Sequence, residues 1–219
     1  MNISLLTDLY ELTMAQSYFI YKRQTRATFD LFVRDLPANR SYLVACGLEE
    51  ILNYIKNLKF QAQDLAYLKS QRIFSNDFLK FLKNFKFRGD IWAMPEGTVF
   101  FAGEPVIRVT APIIEAQIIE SALLNTINLQ AMIASKAARV VSAARGRGVF
   151  DFSLRRTHGS DAAIKVSRAS YIAGCSGTSN VLASKLYGIP AAGTMAHSYV
   201  MSFKYEMDSF LAYADTFPD

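Results

Sequence analysis

An α/β fold in two parts is what this sequence predicts: an N-terminal α/β unit over residues 1–111, then the first part of an α/β barrel over residues 112–219. Three observations carry that expectation. Residues 27–34 alternate apolar and polar side chains as a half-buried strand does, and they lie between segments of helical spacing. At Ala111-Pro112 the texture changes to a long run, Ile113 to Ala144, that is rich in Ala, Leu and Ile and free of breakers. Beyond Gly146-Arg147-Gly148, strand-like and helix-like segments alternate, which implies parallel strands joined by right-handed crossovers. Closing such a sheet into a barrel takes about eight βα units. The chain has room for two or three, so the barrel is expected to be incomplete.

The elements follow in order. Leu5, Leu9, Leu12 and Ala15 or Gln16 keep a helical period near the start, with Ser4 or Thr7 available as caps and Tyr10 off the apolar stripe. The strand at 27–34 is broken by Leu36-Pro37-Ala38-Asn39-Arg40. A short apolar run, Tyr42 to Cys46, leads through Gly47 into a helix over Leu48–Ile55, and two more helical patterns lie around Ala62–Ser70 and Asp77–Phe85. Lys80, Lys83 and Lys86 read most simply as the wet faces of that segment. Gly89 to Pro112 is strand and turn material that reads as hairpins over a small sheet. Ile113–Ala144 is too long for one average helix and predicts two helices or one bent one. After it come a strand (Val149–Phe152), a helix (Asp161–Ala173), a Gly-rich break, a helix (Ser179–Tyr187), a short buried strand (Ile189–Ala192), a loop with His197 and a helix (Phe203–Ala214). Asp215 to Asp219 stands where another strand is expected to start.

Composition narrows the class. The chain has 219 residues and is 51% hydrophobic, enough to fill one large domain or two modest ones. Early Asp8 and Glu11 and the lack of a basic leader argue against a signal peptide, and no long uncharged apolar run exists to span a membrane, so a cytoplasmic protein is expected. Cys46 and Cys175 lack metal-ligand spacing and read as reduced structural thiols. The formal net charge is +5, concentrated between Ala134 and Ala169, where Lys136, Arg139, Arg145, Arg147, Arg155, Arg156, Lys165 and Arg168 face only Asp151 and Asp161. Such a window favours a polyanion. Aromatic residues that would stack on bases are not interleaved there, which favours a phosphorylated small molecule over nucleic acid.

Two segments look like a site. Val149-Phe150-Asp151-Phe152-Ser153-Leu154-Arg155-Arg156-Thr157-His158-Gly159 takes a β-favouring run into two arginines and a glycine, as a parallel strand delivers polar groups to its C-terminal edge. Gly193-Thr194-Met195-Ala196-His197-Ser198 offers an imidazole where a buried segment meets a turn. The two histidines of the chain, His158 and His197, each sit in one of these segments. On residue chemistry alone His197 is as readily a structural histidine as a catalytic one, Arg156 could belong to a salt-bridged rim, and Lys136 and Arg139 could be a solvated helix face. Ser176-Gly177-Thr178-Ser179 reads equally as a helix cap or a phosphate-binding turn.

Taken together, several motifs resemble those of nicotinate phosphoribosyltransferases. They are Leu6-Thr7-Asp8-Leu9-Tyr10-Glu11-Leu12-Thr13-Met14-Ala15, the Phe29–Arg34 strand followed by Gly47-Leu48-Glu49-Glu50, Leu124-Asn125 with Asn128, Lys136-Ala137-Ala138-Arg139, Phe152-Ser153-Leu154-Arg155-Arg156, Ser179-Asn180-Val181-Leu182-Ala183 and Gly193-Thr194-Met195-Ala196-His197-Ser198. They span the chain in the family's order. The resemblance implies a type II phosphoribosyltransferase fold with its site at the strand C-termini, shared across a homodimer. It implies a reaction joining nicotinate to 5-phosphoribosyl 1-pyrophosphate (PRPP), with Mg2+ and coupled ATP hydrolysis, giving nicotinate mononucleotide and pyrophosphate for NAD biosynthesis. It implies His197 as the phosphorylated histidine, Tyr10 and Thr194 as nicotinate contacts, and Phe152 and Arg155 as ring-stacking and anion-binding positions. Arg139 joins the substrate-binding set, and Ser179, a neutral hydroxyl where the nicotinamide enzyme has a carboxylate, suits an acid substrate. His158 is assigned nothing beyond a polar contact. The family is roughly twice as long, so the chain is expected to be a fragment or to be completed by a partner, with much barrel surface uncovered. Nicotinamide or quinolinate specificity, or a non-catalytic nucleotide- or RNA-binding module, are the alternatives.

Overall fold

The computed structural model describes residues 3–218; Asp219, the end of the segment expected to precede a strand, lies outside the described residues. The N-terminal part runs α1 (Leu9–Tyr21), β1 (Arg26–Phe32), β2 (Leu43–Val44), α2 (Leu48–Asn57), α3 (Ala62–Ser70), α4 (Asn76–Lys83), β3 (Asp90–Ala93), β4 (Val99–Phe100) and β5 (Pro105–Pro112). A long α5 (Ile113–Ala143) then leads to β6 (Phe150–Asp151), α6 (Ser160–Ile172), β7 (Gly177–Thr178), α7 (Val181–Tyr187), α8 (His197–Met201) and α9 (Glu206–Thr216).

Central β5 pairs antiparallel with β1 on one side and β3 on the other. Its buried Ile107, Val109 and Ala111 face the core, while Arg108 on the other face donates to Asp30 at 2.7 and 2.9 Å. The helices behind this sheet bring Phe74, Phe78 and Phe85 into one core, with half-buried Phe19 and Phe81 packed against it. Ser75 caps α4 by accepting from the Phe78 amide at 3.2 Å, and Asp64 closes a capping box on the Gln61 amide at 2.7 Å. At α1 the expected caps are not used: Asp8 is the N-cap residue and makes no side-chain cap bond.

α5 is one continuous helix, so of the two helices or one bent helix expected, the break into two does not occur. Nothing from 113 to 143 is Gly or Pro, and the run ends only where Arg145 and Gly146 turn left-handed at φ 50° and 83°. Thirty-one residues span about 46 Å. The first half of α5 packs into the N-terminal core as far as Ala131. Its second half meets α6 through small residues, Ala134 and Ala169 lying in one cluster with Val44 and Cys46. Burial pushes the Cys46 thiol up to about 12, and both cysteines are buried and free.

Charge also joins the two parts. Arg168 on α6 donates to both oxygens of Glu96 at 2.9 and 2.7 Å and to Glu49, while Lys165 sits 2.7 Å from Glu50 and 2.8 Å from Asp161. Burial opposes the charge on Glu96, but Arg168 and the Gly47 and Leu48 amides hold its carboxyl below the usual value. Two cations of the basic window are therefore consumed at this junction. Among the described residues, no helix is long and apolar enough to cross a membrane.

Candidate active site at the edge of a short parallel sheet

Three short parallel segments build the site. β6 pairs with β7 in parallel, Phe150 opposite Gly177 and Asp151 opposite Thr178, and Thr178 forms a further parallel bridge to Ala191. Where a buried strand over Ile189–Ala192 was expected, that bridge is what forms: Ile189 is buried but Pro190 and Ala191 are exposed. Because all three segments run the same way, the residues that follow each of them emerge at one edge. Phe152 and Arg155 follow β6, Ser179 follows β7, and Thr194 and His197 follow the Ala191 bridge. His197 stands at the first turn of α8 rather than in a loop, exposed, as are Phe152, Arg155 and Thr194; Ser179 is half-buried. Arg155 and Arg156 form one turn of 3-10 helix and make no ion pair with any described residue, so the salt-bridged rim considered for Arg156 does not form.

Below this edge lies a buried polar network that the sequence reading treated only as one charge. The Asp151 carboxylate accepts from the Ser153 amide at 3.0 Å, Ser167 Oγ at 2.9 Å and Thr178 Oγ1 at 2.9 Å. Burial works to raise its pKa, yet the donors from Ser153, Thr178 and Ser167 hold the carboxyl below the ordinary value. Asn180 continues the network: its amide donates to Thr178 Oγ1 at 3.1 Å, and its side chain reaches Ala163 O and caps α7 at the Ala183 amide. Strand alternation was the available signal, since Phe150 and Phe152 on one face place Asp151 on the other, towards α6.

Gly177 fixes the spacing. A Cβ there would lie 2.5 Å from the Pro190 carbonyl oxygen and 3.2 Å from the Phe150 ring. That same carbonyl accepts from the Thr178 amide at 3.0 Å. Gly177→Ala is expected to cost about 1–3 kcal/mol of stability and to open this bond. Amide exchange checks it: Thr178 and Ala192 should lose protection, and unchanged protection would sink the account.

Two of the expected site residues stand elsewhere. Arg139 is exposed near the end of α5, where Val141 meets Gly174 just past the C-terminus of α6. Arg155 lies before the N-terminus of α6, the other end of a helix about 20 Å long. Tyr10 belongs to α1, which packs on the first half of α5 with Asp8 bonded to Ser121 and Gln117 bonded to Glu11. The Glu11 carboxylate pushes the Tyr10 hydroxyl up to about 12, so it stays neutral. In the same cluster burial, and then the charges of Glu11 and Asp8, push the Glu120 carboxyl above its usual value.

Glu120 gives a signed test. A raised folded-state pKa means the charged form is penalised in the fold, a cost present above that pKa and relieved as pH falls through it. Glu120→Gln is therefore expected to stabilise at neutral pH, by under about 1 kcal/mol for a partly exposed group. Urea unfolding at neutral pH and at about pH 4 checks it; an equal gain at both would rule out the charge.

Known proteins resemble this chain in sequence and in fold. The nicotinate phosphoribosyltransferase (NAPRTase) N-terminal domain matches residues 5–128, and the nicotinate phosphoribosyltransferase (NAPRTase) family matches residues 148–215. The nicotinate phosphoribosyltransferase pncB2 of Mycobacterium tuberculosis is 53% identical over 215 residues, 98% of this chain and 46% of that protein. The Bacillus subtilis nicotinate phosphoribosyltransferase is 42% identical over 221 residues, 100% of this chain and 45% of its own length. Among solved structures, human nicotinic acid phosphoribosyltransferase superposes with a TM-score of 0.83 at 33% identity, covering 90% of this chain and 40% of the human chain. The chain thus spans under half the length of these relatives. The motifs, their order, and the α/β unit leading into an incomplete parallel barrel agree with these matches: the chain belongs to the nicotinate phosphoribosyltransferase family.

Proposed function

We propose that the full-length protein joins nicotinate to PRPP, releasing pyrophosphate and giving nicotinate mononucleotide for NAD synthesis, with ATP hydrolysis as the coupled step. The observation that carries this reading is the parallel pairing of three segments that are followed in the chain by Phe152 and Arg155, by Ser179, and by Thr194 and His197. Phe152 offers an exposed ring to a flat pyridine, and the unpaired guanidinium of Arg155 suits a phosphate or carboxylate. Displacement at the anomeric carbon develops positive charge on the sugar and negative charge on the departing diphosphate. Arginines fixed at the edge stabilise the latter and orient the former. The neutral hydroxyls of Ser179 and Thr194 donate to a substrate carboxylate without repelling it.

The family resemblance implies Mg2+ to neutralise diphosphate charge. No group of three or more acidic, His or Cys side chains among the described residues could hold a metal, and the Asp151 carboxylate is already filled by its donors. The edge is cationic and hydroxylic, so these residues do not fit a resident metal, and no step here is routed through one. Tyr10 and Arg139, displaced from the edge of their own chain, act in this reading across a homodimer in the cytoplasm.

A competition assay decides the substrate. Full-length protein offered equal nicotinate, nicotinamide and quinolinate with PRPP is expected to consume nicotinate first; preference for the amide would overturn the role given to Ser179.

A further inference from the structure

A lysine-lined groove lies away from the basic window and away from the candidate active site. One groove of about 860 Å3 runs between the ends of α2 and α4 and is lined by Lys56, Lys59, Lys83 and Lys86 over Ile55, Leu58, Phe60, Phe85 and Phe87, with no acidic residue. It shares Asn84, Phe85 and Lys86 with a second groove of about 650 Å3, where Arg23 and Lys80 stand beside Phe19 and Phe81, with Asp77 at the rim and Glu115 held by Arg88. Each lobe has the volume of a ligand site. Among the described residues Lys56, Lys80, Lys83 and Lys86 make no ion pair.

Helix-end stabilisation accounts for part of this, because Lys56, Lys80 and Lys83 lie in the last turns of α2 and α4. It does not account for Lys86, in the loop beyond both helices, nor for the absence of a carboxylate among the described residues that line the larger lobe. We infer that this two-lobed groove receives an acidic, partly apolar segment of a partner protein.

The chemistry of the walls selects that occupant. Nucleic acid would stack bases on open rings, but Phe60 and Phe85 are each only 5% exposed and locked edge to face at 5.8 Å. A phosphate head would seek a guanidinium fork. The Arg88 fork is already closed on Glu115 at 2.9 and 2.7 Å, and Arg23 lies 4.6 Å over the Phe19 ring. What remains is flexible ammonium groups over half-buried Ile55 and Phe87, a match for Glu or Asp side chains on a segment whose leucines rest on that floor.

The test measures fluorescence anisotropy of a fluorescein-labelled peptide of alternating Glu and Leu pairs, titrated with the full-length protein. Binding is expected, weakening steeply with salt. Lys83→Glu with Lys86→Glu, both exposed, is expected to weaken it by at least about tenfold, while Lys185→Glu with Lys204→Glu changes it little. Circular dichroism and thermal melting of both variants confirm that the fold is kept. No binding, equal losses in the two double variants, or inorganic tripolyphosphate binding the groove more tightly than the peptide would each overturn the inference.

Discussion

His197→Ala in the full-length protein is expected to abolish ATP-dependent stimulation while leaving slow, ATP-independent formation of the mononucleotide. The expectation rests on the function proposed for this site and on the placement of His197. Its ring is exposed at the first turn of α8, on the segment that follows the Ala191 bridge, at the edge shared with Arg155. An imidazole nitrogen there can attack the γ-phosphorus of ATP, forming an N–P bond as the bond to the departing ADP breaks; water later takes the phosphoryl group to give phosphate. Alanine removes the nucleophile but none of the groups that hold sugar diphosphate and pyridine. Loss of the coupled step alone separates a covalent role from a structural one, because a structural histidine would lower both activities together. The measurement is phosphate release against mononucleotide formed, with and without ATP; full coupling in the alanine variant would remove His197 from the chemistry. Quenched protein carrying an acid-labile phosphoryl group, absent in the variant, would support the same conclusion independently.

The fold was legible wherever one local pattern decided the matter. β1 follows from alternation and β5 from the Pro residues bounding it, and α2 to α4 follow from helical spacing. α5 was read as two helices or one bent one because average length stood in for physics: nothing in 113–143 breaks a helix, and two separate cores pack along it. The strand at Ile189–Ala192 was over-read for the opposite reason, since a bridge at Ala191 satisfies the backbone without burying Pro190. Motifs marked which residues share an edge, but not where the charge is free. Lys165 and Arg168 look like ligand-binding cations in the sequence and are spent on Glu50, Glu49 and Glu96. The unpaired lysines around α4 read as a wet face, because the groove they line needs residues from α2 as well. Long-range pairing of this kind leaves no trace in local spacing.

Asp151→Ala is expected to be the most destabilising single change in the second part of the chain. Asp151 is 8% exposed, and its carboxylate is the common acceptor for β6, α6 and β7. Truncation strands the Ser153 amide and the Ser167 and Thr178 hydroxyls in a site that excludes water; each unpaired buried group costs about 1–3 kcal/mol. Partial re-pairing offsets some of that, since Thr178 Oγ1 already lies 3.1 Å from Ser167 Oγ. A loss of about 3–5 kcal/mol, as for other broken buried charge networks, is therefore expected. The pH dependence identifies the cause. Asp151 titrates below its unfolded value, so its contribution is present above about pH 4 and is lost as pH falls through the folded pKa. Asp151→Asn keeps the size and one acceptor oxygen but has no charge to lose, so its stability should not decline over that acid range through this site. Urea unfolding of the three proteins from neutral to acid pH decides the point. An alanine variant within about 1 kcal/mol of wild type, or an asparagine variant with an undiminished acid limb, would show that packing rather than the carboxylate holds the three elements together. The same carboxylate fixes the amide two residues before Arg155 and the hydroxyl just before Ser179. Weakened substrate binding in the asparagine variant at a pH where it is fully folded would therefore trace the geometry of the edge to this one buried charge.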